Sequence, residues 1–283
     1  MKSDNTPSSL NVSRRRFIRA GLSGAVLLGC YPLFVERNIV LVNEYRIPVR
    51  HLPRLFNGYR IAHLTDLHYG ALVSAGFIDG VIQRTNALKP DLVCLTGDYV
   101  HARNTTAEID EVWPLLQKLS ARDGVTAVLG NHDHWADTER SLQWMHRSGF
   151  GIRHAGRAVI RGNERLMLGG AGDFYEDIQG IDRAFARSDD ADCRVLLAHN
   201  PDTIDTSFHT RVDLTLCGHT HGGQVKIPFG PAPILPVRNK AYTEGLIRTP
   251  KTQLFISRGI GWAVLPLRFN CYPEIALLRL VCV

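Results

Sequence analysis

Short apolar runs alternate with segments of helical period through the first half of this chain. Val40–Val49 reads as a first strand, behind a connector that begins at residue 36. Arg60–Leu67 is a second, and Ser74 is placed to cap a helix running to about Leu88, where Lys89-Pro90 ends it. Asp91–Tyr99 contains the unbroken run Leu92-Val93-Cys94-Leu95, the pattern of a strand buried on both faces. From Thr106 to about Ala121, Ile109, Val112, Leu115, Leu116 and Leu119 repeat as one helical face. Val125–Gly130 is the next strand, and Asp137 or Thr138 caps a helix to about Arg147. This β-α-β-α-β-α order predicts a parallel sheet covered by helices.

The second half is richer in strands. Gly151–Ile160 and Arg165–Gly170 read as a pair turning at Gly162-Asn163, followed by a short helix over about Ile181–Arg187. Arg194–Ala198 and Val212–Cys217 have the composition of buried strands. Gln224–Ile227, Ala241–Arg248, Gln253–Ser257 and Glu274–Val281 are expected to complete a second sheet. Pro228–Pro236 holds four prolines and one glycine and reads as a loop, not a linker between domains.

Composition adds one boundary. The net charge of +6 sits mostly in residues 1–30, where Lys2, Arg14, Arg15, Arg16 and Arg19 face Asp4 alone. Beyond them 28 basic residues stand against 26 acidic, and no basic run interleaved with aromatics follows residue 50, so nucleic-acid binding other than as substrate is not expected. Ser13-Arg14-Arg15-Arg16-Phe17-Ile18-Arg19 resembles a twin-arginine export signal, and Ala20 to Val35 carries no charge. That stretch is short for a membrane span and suits a signal core or anchor. The expected division is therefore a signal or anchor segment over 1–35 and a single domain over 36–283. Export by the twin-arginine machinery would place the domain in the periplasm, or anchored at a membrane surface facing outward. Leu27-Leu28-Gly29-Cys30 loosely resembles a lipoprotein box. None of the six cysteines forms a Cys-x-x-Cys pair; buried thiols are expected, with a Cys271–Cys282 disulfide open to an exported protein.

The chemistry lies in five short segments: Asp66-Leu67-His68, Gly97-Asp98, Gly130-Asn131-His132-Asp133, Ala198-His199-Asn200 and Gly218-His219-Thr220-His221-Gly222-Gly223-Gln224. The first four follow strand-like runs, and the carboxyl ends of strands are where α/β sheets build sites. One intervening residue lets two side chains on extended backbone share a face, as in Asp66/His68 and His219/His221. Imidazole, carboxylate and one amide oxygen together suit first-row metals better than calcium, and the donors outnumber the needs of one tetrahedral ion. Asp173 and Arg258 are weaker candidates, for support of the site and for a substrate phosphate; His63, His101, His134, His154 and His209 carry no assignment.

In order and spacing these segments resemble the calcineurin-like metallophosphoesterases, from about Arg60 to Val225. Ser257-Arg258-Gly259-Ile260-Gly261 and Leu267-Arg268-Phe269-Asn270-Cys271 further resemble the bacterial YaeI/YkuE-like phosphodiesterase subgroup. The resemblance implies a four-layer α/β/β/α sandwich of two mixed sheets. It implies two divalent metal ions (Mn, Fe, Zn or Ni), one on Asp66, His68 and His221, the other on Asn131, His199 and His219, with Asp98 bridging. A shared hydroxide would be the nucleophile, His132 the general acid, and Asp133 a supporting carboxylate.

The implied activity is phosphoester hydrolysis, of a phosphodiester or pyrophosphate in preference to a monoester, since no arginine cluster awaits a dianion. Other readings stay open: a pyrophosphatase on a lipid-linked nucleotide sugar, a phosphomonoesterase or phosphoprotein phosphatase, and a non-catalytic metal-binding surface protein.

Overall fold

The apolar runs pair into two sheets in a computed structural model that describes residues 14–228 and 230–283. The start of the signal-like segment, Ser13 included, and Phe229 of the proline-rich loop lie outside the described residues, as do the side chains of Ala20, Leu22, Ser23 and residues 25–28. In chain order the elements are α1 (Arg14–Cys30), β1 (Leu41–Val49), β2 (Arg60–Leu64), α2 (Ala75–Ala87), β3 (Leu92–Thr96), α3 (Ala107–Leu116), β4 (Val125–Val128) and α4 (Asn131–Ser148). There follow β5 (Gly156–Arg161), β6 (Glu164–Gly170), α5 (Ile181–Ala184), β7 (Cys193–Leu197), β8 (Leu214–Cys217), β9 (Gly245–Arg248), β10 (Gln253–Ile256) and β11 (Glu274–Cys282).

One sheet has the order β1-β11-β2-β3-β4 and the other β5-β6-β7-β8-β10-β9. Both are mixed: β2, β3 and β4 run parallel while β11 opposes β2, and β6, β7, β8 and β10 run parallel while β5 and β9 oppose their neighbours. Ile61, Cys94, Val128 and Leu278 of the first sheet meet Leu168, Val195, Leu216 and Phe255 of the second in an apolar layer closed to water. The other face of the first sheet packs Leu64, Val93, Leu95 and Ala127 on Ile78, Ile82, Val112 and Trp113 of α2 and α3 and on Met145 of α4. The outer face of the second sheet is covered more thinly, by α5, Phe185 and Ile204. Two apolar faces per sheet explain why the central strands read as continuous apolar runs. The expected four-layer sandwich is the observed architecture.

Four local expectations change. Glu274–Cys282 does not join the second sheet: it enters the first, between β1 and β2, pairing parallel with one and antiparallel with the other. Gln224–Ile227 forms no strand, only one bridge from Val225 to Phe269. The helix expected from Asp137 starts at Asn131 and bends at Asp137 (φ −169°, ψ 107°). Asp137 still caps the straight part, its Oδ1 accepting the Arg140 amide at 2.8 Å. Cys271 and Cys282 are both free thiols, one three residues before nine-residue β11 and the other at its far end. A strand rise of about 3.3 Å per residue sets them far beyond disulfide reach.

The N-terminal segment is tied to the sandwich from Tyr31 onward, ahead of the boundary expected at residue 35. Pro32 O accepts the Arg268 amide, the buried Glu36 carboxylate accepts the Cys271 amide at 2.7 Å, and Arg37 donates to Pro266 O at 2.6 Å. No helix among the described residues is long and apolar enough to cross a membrane.

Candidate metal centre

The carboxyl ends of β2, β3, β7 and β8 open on one place, where the chain leaves each strand through Asp66–His68, Asp98, His199 and His219–His221. Asp66, His68 and His221 offer donor atoms within 4.8 Å of one another, and so do Asp98, His199 and His219. All six residues are buried. His68 Nε2 and His221 Nε2 lie 3.0 Å apart, and His221 Nε2 is 3.4 Å from Asp66 Oδ1. His199 Nε2 and His219 Nδ1 are likewise 3.0 Å apart. Asp98 Oδ2 stands between the two groups, 3.2 Å from His199 Nε2 and 3.6 Å from His68 Nε2.

The backbone is bent to make this convergence. Among the described residues, Asp66, His68, Asp98, His219 and His221 account for five of the eleven non-glycine residues at positive φ. That region is costly for a side chain bearing a Cβ, and such strain collects at functional sites. Glycines supply the room. A Cβ on Gly218 would lie 2.1 Å from Thr65 Oγ1 and 2.2 Å from Asp66 Oδ2; one on Gly130 would lie 2.3 Å from Asp98 Oδ1.

Outer hydrogen bonds aim the donors. The His219 amide donates to both Asp66 oxygens, at 3.1 and 2.9 Å, and the His132 amide to Asp98 Oδ1 at 2.8 Å. His199 Nδ1 faces Thr96 O at 2.8 Å and His219 Nε2 faces Pro236 O at 2.9 Å. A carbonyl only accepts, so each of these nitrogens carries a proton, and the other ring nitrogen faces inward with its lone pair free whenever the ring is neutral. Asp133 touches no imidazole. Its carboxylate instead accepts the amides of Asp98, Tyr99 and Gly130 and holds the β3 loop to the start of α4.

Burial holds the His68 and His221 imidazoles well below the usual histidine range and His219 at about 3. Burial raises the Asp66 carboxyl to about 6. At His199 burial also acts downward, but Asp98, Asp66 and Asp173 together outweigh it and lift the ring to about 10. Burial opposes ionisation of Asp98, but His199, His132 and His68 together outweigh it and hold the carboxyl well below the usual range.

This donor set fits divalent cations. Imidazoles and carboxylates converge at a spacing that favours a positive charge between them, the same field that holds a proton on His199, and they are the ligand types of first-row metals. Asn131 Oδ1 adds a buried oxygen with no hydrogen-bond partner.

His132 stands at the open side, half-buried, its Nδ1 2.9 Å from His101 O. It meets His68 edge-on with ring centroids 4.6 Å apart, and Trp135 packs against it at 4.8 Å. His101, unassigned by sequence, belongs here: with His68 and His132 it forms a third group of converging donors. Its only sequence signal was its place three residues after Asp98. Arg268 was missed as a site neighbour. Its fully buried guanidinium donates to Gly261 O and Arg258 O and lies 3.4 Å from His221 Nδ1. Arg258 pairs instead with Glu244. Asp173 is buried, with Oδ1 accepting the Tyr175 and Glu176 amides and Oδ2 unpartnered. His63, His134 and His154 hydrogen-bond to Thr96, Thr138 and Ile178 respectively, while His209 donates its amide to Asp182.

Two sheets opening on an acid-and-imidazole site are the frame of a phosphoesterase. The calcineurin-like phosphoesterase family model matches residues 59–223, more than half of the chain, and the chain belongs to that family. It is 31% identical over 280 residues to the uncharacterized metallophosphoesterase YkuE of Bacillus subtilis (strain 168), covering 95% of this chain and 98% of the relative. It is 34% identical over 285 residues to the phosphodiesterase YaeI of Escherichia coli (strain K12), covering 95% and 100%. Among solved structures, a dimetal phosphatase from Danio rerio superposes over 72% of this chain and 88% of its own, with 13% identity and a TM-score of 0.44.

Proposed function

We propose that this protein hydrolyses a phosphodiester with two divalent cations, one held by Asp66, His68 and His221 and the other by Asn131, His199 and His219, with Asp98 between them. The observation that carries this reading is the position of Asp98 Oδ2, within 3.6 Å of imidazole nitrogens from both groups. Paired cations of this kind activate water and stabilise the entering and leaving oxygens of an in-line displacement. The residues do the rest. The strained loops hold the donors in place, and the outer carbonyls fix which ring nitrogen is free. His132 is half-buried where the six donors of the two groups are closed to solvent, and so is placed to meet a substrate. With Nδ1 donating to the His101 carbonyl, Nε2 is the nitrogen left to face the leaving oxygen, and it delivers a proton there from the doubly protonated ring. The preference for a diester rests on likeness to the relative named a phosphodiesterase.

We further propose the division expected from sequence, a signal or anchor over 1–35 and a catalytic domain over 36–283, with export by the twin-arginine route.

The test is hydrolysis of bis(p-nitrophenyl) phosphate beside p-nitrophenyl phosphate, with metal-free protein titrated with Mn, Zn, Fe(II) or Ni. Metal-dependent diester turnover is expected, abolished by Asp98→Asn. In His132→Ala it should fall about 10²–10⁴-fold while bound metal is unchanged. Turnover of neither ester with two metals bound would reject the reading.

A further inference from the structure

We propose that residues 262–267 and the turn Tyr31–Val35 form one membrane-docking face, which seats the candidate metal centre against an anionic lipid surface. The proposal goes beyond the hydrolytic reading and does not depend on it.

Val264 is the leading observation. It sits at φ +60° with 91% of its surface exposed. A β-branched residue in left-handed backbone is strained, and burial of the side chain offers no return for that strain here. Leu265 beside it is exposed, as are Phe34 and Val35 on the turn. Hydrogen bonds make these one surface. Arg37 donates to Pro266 O and the Arg268 amide to Pro32 O, while the Arg37 guanidinium lies 4.6 Å over the Trp262 ring. On the far side the Gln224 side chain donates to Ala263 O and Leu265 O at 3.0 and 2.9 Å, bringing the segment that carries exposed Ile227 alongside.

The occupant follows from chain continuity and charge. The stretch from Ala20 to Val35 is uncharged and ends in Phe34 and Val35. Ahead of it, Arg14, Arg15, Arg16 and Arg19 lie on the exposed start of α1. Cationic residues followed by an uncharged apolar stretch match a headgroup layer above acyl chains, and interfacial helices bind anionic lipid through both terms. A lipid surface that receives α1 lies next along the chain to Phe34 and Val35, and the bonds from Arg37 and Arg268 tie that turn to the loop of Val264 and Leu265. The same loop reaches the centre: the Gly261 amide donates to Asp66 O at 2.7 Å, and Arg268 lies beside His221.

The experiment uses the full chain with Cys30→Ser and Cys282→Ser, which remove the two exposed thiols. An environment-sensitive fluorophore is placed at Val264→Cys or, as control, at Ile160→Cys, an exposed aliphatic on β5. With phosphatidylglycerol vesicles the probe at 264 is expected to shift to the blue and be quenched by acyl-chain nitroxides, while the probe at 160 stays in water. A probe at 264 that behaves like the one at 160, a chain that does not float with vesicles, or a blue shift at 264 without any lipid, marking contact between copies, would each overturn the proposal. A second variant, Val264→Asp with Leu265→Asp, should weaken vesicle binding about tenfold or more with an unchanged thermal midpoint. Undiminished binding by that folded variant would overturn it as well.

Discussion

Asp133 Oδ2 accepts the backbone amide of Asp98 at 2.8 Å, so a carboxylate in the first turn of α4 positions the residue that stands between the two donor groups. The same carboxylate takes the amides of Gly130 and Tyr99, both at 2.9 Å, in a site closed to water. Asp133→Ala leaves three buried amides unpaired, and each costs about 1–3 kcal/mol. The expected result is a loss of about 3 kcal/mol or more in urea denaturation. A loss below about 1 kcal/mol would show that the loop is held by other means.

Glycine positions divide by the space around them. Gly218→Ala drives a methyl into Thr65 and Asp66, and should destabilise by about 1–3 kcal/mol and weaken manganese binding in equilibrium dialysis. Gly80, inside α2, has nothing within 4 Å of an added Cβ. Gly80→Ala should therefore stabilise by about 1 kcal/mol and leave metal binding untouched. Equal effects at the two positions would refute the steric account of Gly218.

His63 sets a pH window for stability. Burial lowers it to about 3, against an ordinary value of about 6.5 in the unfolded chain. Between those values the unfolded state binds a proton that the folded state does not, so stability rises with pH up to about 6.5 and is flat above. Lowering the pH from 7 to 5 should cost about 2 kcal/mol through this residue. His63→Gln, compared with the parent chain across that range by denaturant titration, should lose that share of the slope. An unchanged slope would mean that His63 is protonated in the folded protein.

Arg268 is held by shape as much as by charge. Its Nε and Nη2 both reach Gly261 O, at 2.9 and 2.6 Å, while Nη1 reaches Cys271 O and Nη2 also reaches Arg258 O. A lysine ammonium offers its donors from one atom and cannot span those carbonyls. Arg268→Lys is expected to destabilise by about 2 kcal/mol or more, read from its urea midpoint at unchanged slope.

Much of the site was legible because its residues come in local groups. Asp66/His68 and His219/His221 are each two residues apart, and the other donors follow apolar runs whose ends are visible in the chain. Spacing of that kind survives in one dimension. His101 and Arg268 do not: each reaches the site through a loop whose path depends on packing against distant strands. Arg258, ten residues before Arg268, was the arginine expected at a substrate phosphate, and it turned toward Glu244. The bend at Asp137 hid the first turn of α4, because a capping residue marks a start whether or not helix precedes it.

By itself the sequence determined the buried strands, the covering helices of the first half and the order of the acid and histidine clusters, because apolar period and chain direction are local properties. Tertiary structure decided which sheet receives Glu274–Cys282, since an apolar strand fits either sheet until edges and partners are present. It also decided the left-handed bends at Asp66, His68, Asp98, His219 and His221, because no local preference would choose a strained backbone. Those bends persist only where two packed sheets and a net of amide–carboxylate bonds leave the loops no relaxed alternative.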